Sequence, residues 1–154
     1  MQFKPWRAAA ACTLLALAGA TAAQDRGTRE EAKAMVDAAV EHARSVGTER
    51  ALKDFSTDRA RWVRKDLYVF GFDMKGVNIA HGVNEKIIGK DMLAMTDSGG
   101  KHYVQEFVKL AQGTGAGWVD YEFAHPQTRK SEPKASYIRR LPSGDALVGV
   151  GVYR

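Results

Sequence analysis

The stretch GWVDYEFAHPQTRKSEPKASYIRRLPSGDALVGVGVY, residues 117–153, is the part of the chain that decides the fold. Apolar and polar residues alternate in three short runs, 117–123, 134–141 and 146–153. Connections that contain proline or glycine separate these runs. Alternation with a period of two between such connections is typical of β-strands joined as an antiparallel meander. The C-terminal quarter of the chain is therefore predicted to be sheet.

Two helices are predicted upstream of this meander. Thr28, followed three residues later by Glu31, forms the pattern of a capping box. Apolar residues then recur at helical spacing as far as Val46, and Gly47 ends the pattern. A shorter helix is expected from Thr48, before a polar stretch over residues 56–61.

From Asp66 the apolar period changes from helical to two. Residues 67–72 and 77–81 are predicted to be paired strands, and residues 102–112 a helix. Residues 86–91 are expected to be a polar connection with Ile87 and Ile88 as its buried part. The order is long helix, short helix, two strands, helix and three strands, which indicates an α+β fold.

One group of side chains in the meander suits a small anion. Trp118, Tyr121, Lys134, Tyr137 and Tyr153 bring aromatic rings, hydroxyl groups and one cation into a short span. The preceding residue, Pro133, restricts the backbone that leads into Lys134. Tyr121 lies on the previous strand, so its hydroxyl and the Lys134 ammonium are expected to face each other and donate to one carboxylate. The alternative for Lys134 is a solvated strand lysine.

A set of short motifs resembles a known family. In order they are Phe72-Asp73-Met74-Lys75-Gly76, Ala80-His81, Gly89-Lys90-Asp91, Trp-Val-x-Tyr, Pro-x-Thr, Pro-Lys-x-Ser-Tyr and Gly-Val-Gly-Val-Tyr. From about Asp66 to Tyr153 the chain is similar to the single Cache domain, an extracytoplasmic small-ligand sensor of bacterial chemoreceptors and sensor kinases. The resemblance implies a PAS-like, five-stranded antiparallel sheet. It also implies a long N-terminal helix on one face, and loops and a short helix on the other.

The resemblance also implies a ligand site. Carried over by motif, Tyr121 and Lys134 are the first candidates, and His81 is a further one, with a surface histidine as the alternative. Tyr68 and Trp118 are candidates for an aromatic wall, with core packing as the alternative. Tyr137 is a candidate with a difficulty, because its odd offset from Lys134 places the two side chains on opposite faces of a regular strand.

The N-terminus is typical of a secretory signal peptide. Lys4 and Arg7 precede an apolar run over residues 8–18, and small residues occupy positions 20–23. The run of about 11 residues is short for a membrane anchor, the alternative, which needs about 20. We therefore expect a signal peptide over residues 1–23, cleaved after Ala22 or Ala23, and a periplasmic domain over residues 24–154 with its core at 66–153. Cys12, the single cysteine, lies in the part removed.

Composition and motifs argue against several other classes of protein. The net charge is +5, but basic residues are mixed with acidic ones, which favours a solvated surface over a nucleic-acid interface. No hydrolase, nucleotide-binding or metalloprotease motif is present, and the four histidines have no spacing typical of metal ligands. We expect no enzymatic activity, no cofactor and no metal.

Two functions follow from these observations. The first is an exported module that captures a small organic acid and acts through a membrane sensor or transporter, since the chain ends at Arg154. The second is a periplasmic adaptor of the same fold without a ligand. A buried Lys134 with no carboxylate partner favours the first, whereas pairing with Asp120 or Glu122, or exposure, favours the second. A monomer or weak dimer is expected.

Overall fold

The computed structural model describes residues 25–154, so the predicted signal peptide lies outside the described residues. Helix α1 (Arg29–Val46) begins at the predicted capping box. The Glu31 amide donates to Thr28 Oγ1 at 3.2 Å, and the Thr28 amide donates to Glu31 Oε2 at 2.9 Å. The helix ends before Gly47, whose φ of 87° is readily adopted by glycine alone. The prediction for this helix is confirmed at both ends.

The other elements follow in chain order: α2 (Thr48–Thr57), α3 (Arg59–Trp62), β1 (Val63–Arg64), β2 (Leu67–Asp73), β3 (Asn78–His81), a 3₁₀ turn (Glu85–Ile87), α4 (Tyr103–Gln112), β4 (Ala116–Ala124), β5 (Ser131–Arg140) and β6 (Ala146–Tyr153). The strands form one antiparallel sheet in the order β1-β2-β6-β5-β4, with β3 also paired to β2. The predicted α+β class with an antiparallel sheet is confirmed. The sheet has six strands because the two-residue β1 adds to the five expected.

The sheet separates two apolar cores. One core packs α1 against the sheet through a stripe of small residues that includes Ala32, Val36 and Ala39. On the opposite face α4 packs through Tyr103, Val104 and Phe107 against an aromatic core. Successive residues of β6 alternate between these two cores, as the period of a strand requires. The predicted arrangement of one long helix on one face, with loops and a short helix on the other, is confirmed.

Two local features differ from what the sequence alone suggested. No element was predicted within the polar residues 56–61, but α3 begins there at Arg59, and the Asp58 side chain accepts from the Arg61 amide to cap it. Ile88 was expected to be buried but is 38% exposed, because the turn that ends at Ile87 directs it outward. Within residues 25–154 no helix is long and apolar enough to span a bilayer.

Candidate functional site

The pairing of β4 with β5 determines which predicted residues share a face. Tyr121 lies directly opposite Lys134, and Trp118 lies directly opposite Tyr137. Residues opposite each other in an antiparallel pair present their side chains to the same face, and odd offsets change the face. Tyr121 and Lys134 therefore face α4, and Trp118 and Tyr137 face α1.

Lys134 is almost completely buried, with 1% of its surface exposed. Its Nζ donates a hydrogen bond to Tyr68 Oη at 2.8 Å. The same nitrogen lies 4.3 to 5.6 Å from the centroids of four rings, those of Tyr68, Tyr153, Phe123 and Phe70. Ring faces attract a cation at such distances. Lys134 makes no ion pair with any carboxylate of residues 25–154.

A missing side chain on β6 makes room for this lysine. A Cβ atom built on Gly151 would overlap Lys134 Cε and Ser136 Oγ, and it would lie 3.0 Å from Lys134 Cδ. Glycine in a strand often marks a close approach of this kind. The lysine stem therefore runs over the bare backbone of β6, and any larger residue at Gly151 would displace it.

A short chain of hydroxyl groups supports the ammonium. Tyr153 Oη donates to the carbonyl oxygen of Ala124 at 2.8 Å. Since its proton is used there, Tyr153 accepts from Tyr68 Oη at 3.3 Å, and Tyr68 in turn accepts from Lys134 Nζ. An ammonium has three N–H donors, and this chain uses one of them. The other two remain available to a bound molecule.

His81 adds a second donor with a defined tautomer. Its Nδ1 accepts from the backbone amides of Asn84 at 3.0 Å and Val83 at 3.4 Å, so the ring proton of the neutral form is on Nε2. The ring packs on Tyr68 with 4.8 Å between centroids. Burial, helped by the charge of Lys134, lowers the pKa of His81 to about 3. The imidazole is therefore neutral and presents an N–H.

These side chains surround an inner cavity, which we define by its lining: Tyr68, Phe70, Phe72, His81, Ile87, Met92, Tyr103, Phe107, Tyr121, Phe123 and Lys134. Its volume is about 10 Å³, enough for about one water molecule. The walls are aromatic and aliphatic apart from Lys134, His81 and the tyrosine hydroxyls. The side chains that line the cavity fill almost all of its space.

Burial controls the charge of the site. It lowers the pKa of Lys134 from 10.5 to about 7, and the negative charge of Asp66 opposes that shift only in part. Burial also raises the pKa of Tyr121 well above its usual value. A buried ammonium without an acidic partner is costly, and an anion beside it would favour the charged form. The site is therefore suited to a single negative charge.

The structure brings four of the six predicted site residues to the inner cavity, namely Tyr68, His81, Tyr121 and Lys134. The Tyr121 hydroxyl is already bonded to Ser136 Oγ at 2.9 Å, and its ring stacks on Tyr103. Tyr121 and Lys134 can therefore donate to the same carboxylate only if the Tyr121 hydroxyl leaves Ser136.

Trp118 and Tyr137 do not reach the inner cavity. They pack on each other, with 5.3 Å between ring centroids, on the face of the sheet that carries α1. Arg29 lies over Trp118 and Lys33 over Tyr137. The odd offsets from Tyr121 and Lys134 explain this placement. The prediction of a ligand-site role for these two residues is corrected accordingly.

Sequence reasoning missed several residues of the site. Phe123 is two residues from Tyr121, and Ser136 is two residues from Lys134, so the strand period places both on the cavity face. Gly151 also belongs to the site, because the Lys134 side chain fills the space beside it. Applying the period of two outward from Tyr121 and Lys134 would have found Phe123 and Ser136.

Comparison with known proteins places this geometry among sensor domains. The family model described as Cache domain matches residues 28–154. The methyl-accepting chemotaxis protein McpP of Pseudomonas putida is 32% identical over 88 residues, which are 57% of this chain and 16% of that receptor. CtpM of Pseudomonas aeruginosa, also a methyl-accepting chemotaxis protein, is 29% identical over 89 residues, again 57% of this chain and 16% of the receptor. The chain thus spans less than a fifth of these relatives' length.

Solved structures show the same fold. A Cache chemosensory domain described in connection with carboxylic acid recognition superposes with a TM-score of 0.68 at 25% identity, covering 80% of this chain and 91% of that one. A periplasmic sensor domain of a chemotaxis protein gives a TM-score of 0.67 at 28% identity, covering 79% and 91%. A methyl-accepting chemotaxis protein from Vibrio parahaemolyticus has a TM-score of 0.68 at 22% identity, covering 80% and 86%.

Proposed function

Because the chain belongs to the Cache domain family, we propose that it is a periplasmic sensor domain whose ligand is a small carboxylate held by Lys134. The single observation that carries the proposal is the buried Lys134 ammonium, which has one hydroxyl partner and no ion pair within the described residues. A carboxylate supplies the missing charge and accepts the free N–H groups.

The surroundings of Lys134 support a small ligand. Aromatic rings flank Nζ on several sides, so they suit the short apolar part of a C2 to C4 acid. The neutral His81 offers a second N–H, and its fixed tautomer holds that donor in place. One structural neighbour is a Cache chemosensory domain described in connection with carboxylic acid recognition, which agrees with this chemistry.

The acids on either side of Tyr121, on the paired strand β4, do not compensate the lysine. Asp120 accepts from Arg154 at 2.9 Å and lies near Arg29, on the exposed side of β4. Glu122 is half-buried and makes no ion pair with a described residue. An adaptor without a ligand would gain stability by pairing Lys134 with one of these acids, so the arrangement favours a sensor.

The inner cavity must open to admit a carboxylate. At about 10 Å³ it holds roughly one water molecule, so a ligand has to part the rings that fill it. This small volume is the one observation that favours the alternative, an adaptor of the same fold that contacts proteins and binds no small ligand. We further propose that a membrane partner reads the bound state of the sensor, and that residues 1–23 direct export.

Thermal unfolding tests the proposal. We expect acetate, propionate or butyrate to raise Tm, because a ligand at 100 times its Kd adds about 2.7 kcal/mol to the free energy of unfolding. The uncharged acetamide, propionamide and butyramide at the same ionic strength should give no shift. Lys134→Met should abolish the response, whereas Lys109→Met, at an exposed position on α4, should retain it. No response to any of the three acids, or an unchanged response in Lys134→Met, would favour the adaptor.

A further inference from the structure

A second, larger hollow opens beside the inner cavity. We call it the outer cleft; its volume is about 640 Å³. Tyr68, His81 and Phe123 line both the outer cleft and the inner cavity. These three side chains therefore lie between the outer cleft and the Lys134 site.

The outer cleft carries a marked excess of positive charge. Its basic lining residues come from separate parts of the fold: Arg59 from α3, Lys65 from the turn after β1, Lys86 from the 3₁₀ turn and Arg129 from the β4–β5 loop. Lys65 is neutralised by Glu31 at 2.9 Å. Arg59, Lys86 and Arg129 are exposed and make no ion pair with a residue of the described chain.

Asp66, the one acidic residue lining the cleft, does not offset these charges at the surface. It is buried, and its Oδ1 accepts from the Gly27 amide at 2.7 Å. His125 accepts at Nδ1 from the amides of Gln127 and Thr128, so its Nε2 proton is directed to Asp66 Oδ2 at 3.4 Å. Asp66 is thus engaged by the protein itself.

Backbone conformation gives independent support. Within residues 25–154, Lys65 and Arg129 are the non-glycine residues with positive φ, at 58° and 60°. A left-handed conformation is unfavourable for a residue with a Cβ atom, and such conformations cluster at functional sites. Both strained residues are basic, and both line the outer cleft. The Arg129 amide donates to the His125 carbonyl oxygen at 2.8 Å, which fixes the loop in this form.

We propose that the outer cleft is a second, weaker anion site and the entrance to the inner cavity. Small carboxylates collect at Arg59, Lys86 and Arg129, and then pass between Tyr68, His81 and Phe123 to reach Lys134. A concave surface of one charge raises the local concentration of the opposite ion and the rate of its association. The entrance role rests on the proposed function of the inner site, whereas the anion site in the outer cleft does not depend on that function.

The first test separates the two sites. In Lys134→Met, titration with acetate should still shift the backbone amide resonances of residues 83–86 and 127–129 in ¹⁵N-correlated NMR spectra. The same shifts should disappear when Arg59, Lys86 and Arg129 are all changed to Gln. If the outer amides do not respond in Lys134→Met, or respond equally in the triple variant, the second site is wrong. An outer response without any inner binding would leave the second site intact and overturn the sensor proposal instead.

The second test concerns the entrance and uses stopped-flow binding of acetate at low and high salt. The triple Gln variant should associate about threefold or more slowly at low salt, lose most of its salt dependence and keep its dissociation rate. A matched variant with Lys53, Lys75 and Lys109 changed to Gln removes the same charge from exposed positions outside the cleft. Equal rates in the two triple variants would contradict the entrance.

Discussion

Gly151 on β6 and Lys134 on β5 share one space, because the lysine stem occupies the position that a side chain at Gly151 would take. The two residues are diagonal neighbours, since Gly151 pairs with Ser136 and Lys134 pairs with Tyr153. The absence of a side chain at Gly151 is therefore a condition for the burial of the ammonium.

Gly151→Ala should displace Lys134 from the inner cavity. Because the new Cβ overlaps Lys134 and Ser136, we expect a loss of about 1 to 3 kcal/mol in the free energy of unfolding, typical of overpacking. The Tm response to small carboxylates should also be lost. Gly99→Ala, in an exposed turn, is the control and should keep that response. A Gly151→Ala variant with normal stability and binding would show that Lys134 has no need of this space.

The buried lysine should make stability depend on pH. Burial lowers its folded pKa to about 7, whereas the unfolded chain titrates near 10.5, so between these values the unfolded state binds more protons. The contribution of Lys134 to the free energy of unfolding is therefore lowest below pH 7 and increases as pH rises from about 7 to 10.5. Relative to Lys134→Met, the wild type should gain roughly 1 kcal/mol per pH unit from pH 7 to 9.

Denaturant unfolding at several pH values measures this difference. These measurements should be made below pH 9.5, where tyrosine titration does not contribute. Because burial raises the pKa of Tyr68 and Tyr121, their titration would change stability with the opposite sign. Parallel curves for the wild type and Lys134→Met across the window would mean that the lysine is not held in a desolvated environment.

Asp66 should hold the segment before α1 and the β4–β5 loop through its contacts with Gly27 and His125. Asp66→Ala leaves the half-buried Gly27 amide and the buried His125 Nε2 without their partner, and an unsatisfied buried group costs about 1 to 3 kcal/mol. We expect lower stability and faster hydrogen exchange at Gly27. Asp145→Ala, at an exposed turn, should change neither quantity. Unchanged exchange at Gly27 in Asp66→Ala would refute the anchoring role.

Much of the fold follows from local sequence patterns. The capping box at Thr28 and Glu31 fixes the start of α1, and the change of period at Asp66 identifies the strand that follows. The same period explains why Tyr121 and Lys134 share a face while Trp118 and Tyr137 do not. The short α3 escaped prediction because its four residues, RARW, are too few to show a helical period.

The details of the site depend on contacts that sequence patterns do not contain. Tyr68 and Lys134 are hydrogen-bonded although they are 66 positions apart in the chain. They lie on strands that are not neighbours in the sheet. The small volume of the inner cavity results from rings contributed by β2, β4 and α4 together. The outer cleft likewise gathers basic residues from four separate segments. Such juxtapositions arise only from the complete packing.

The protonation of Lys134, followed by NMR of its ¹³Cε resonance with and without a bound carboxylate, tests the account most directly. In the free protein the resonance should titrate with a pKa of about 7. A saturating carboxylate, taken from the acid that raises Tm most, should increase this pKa by at least about one unit, because an adjacent anion favours the ammonium. An ordinary lysine pKa in the free protein, or a pKa unchanged by a bound acid, would contradict a carboxylate site at Lys134.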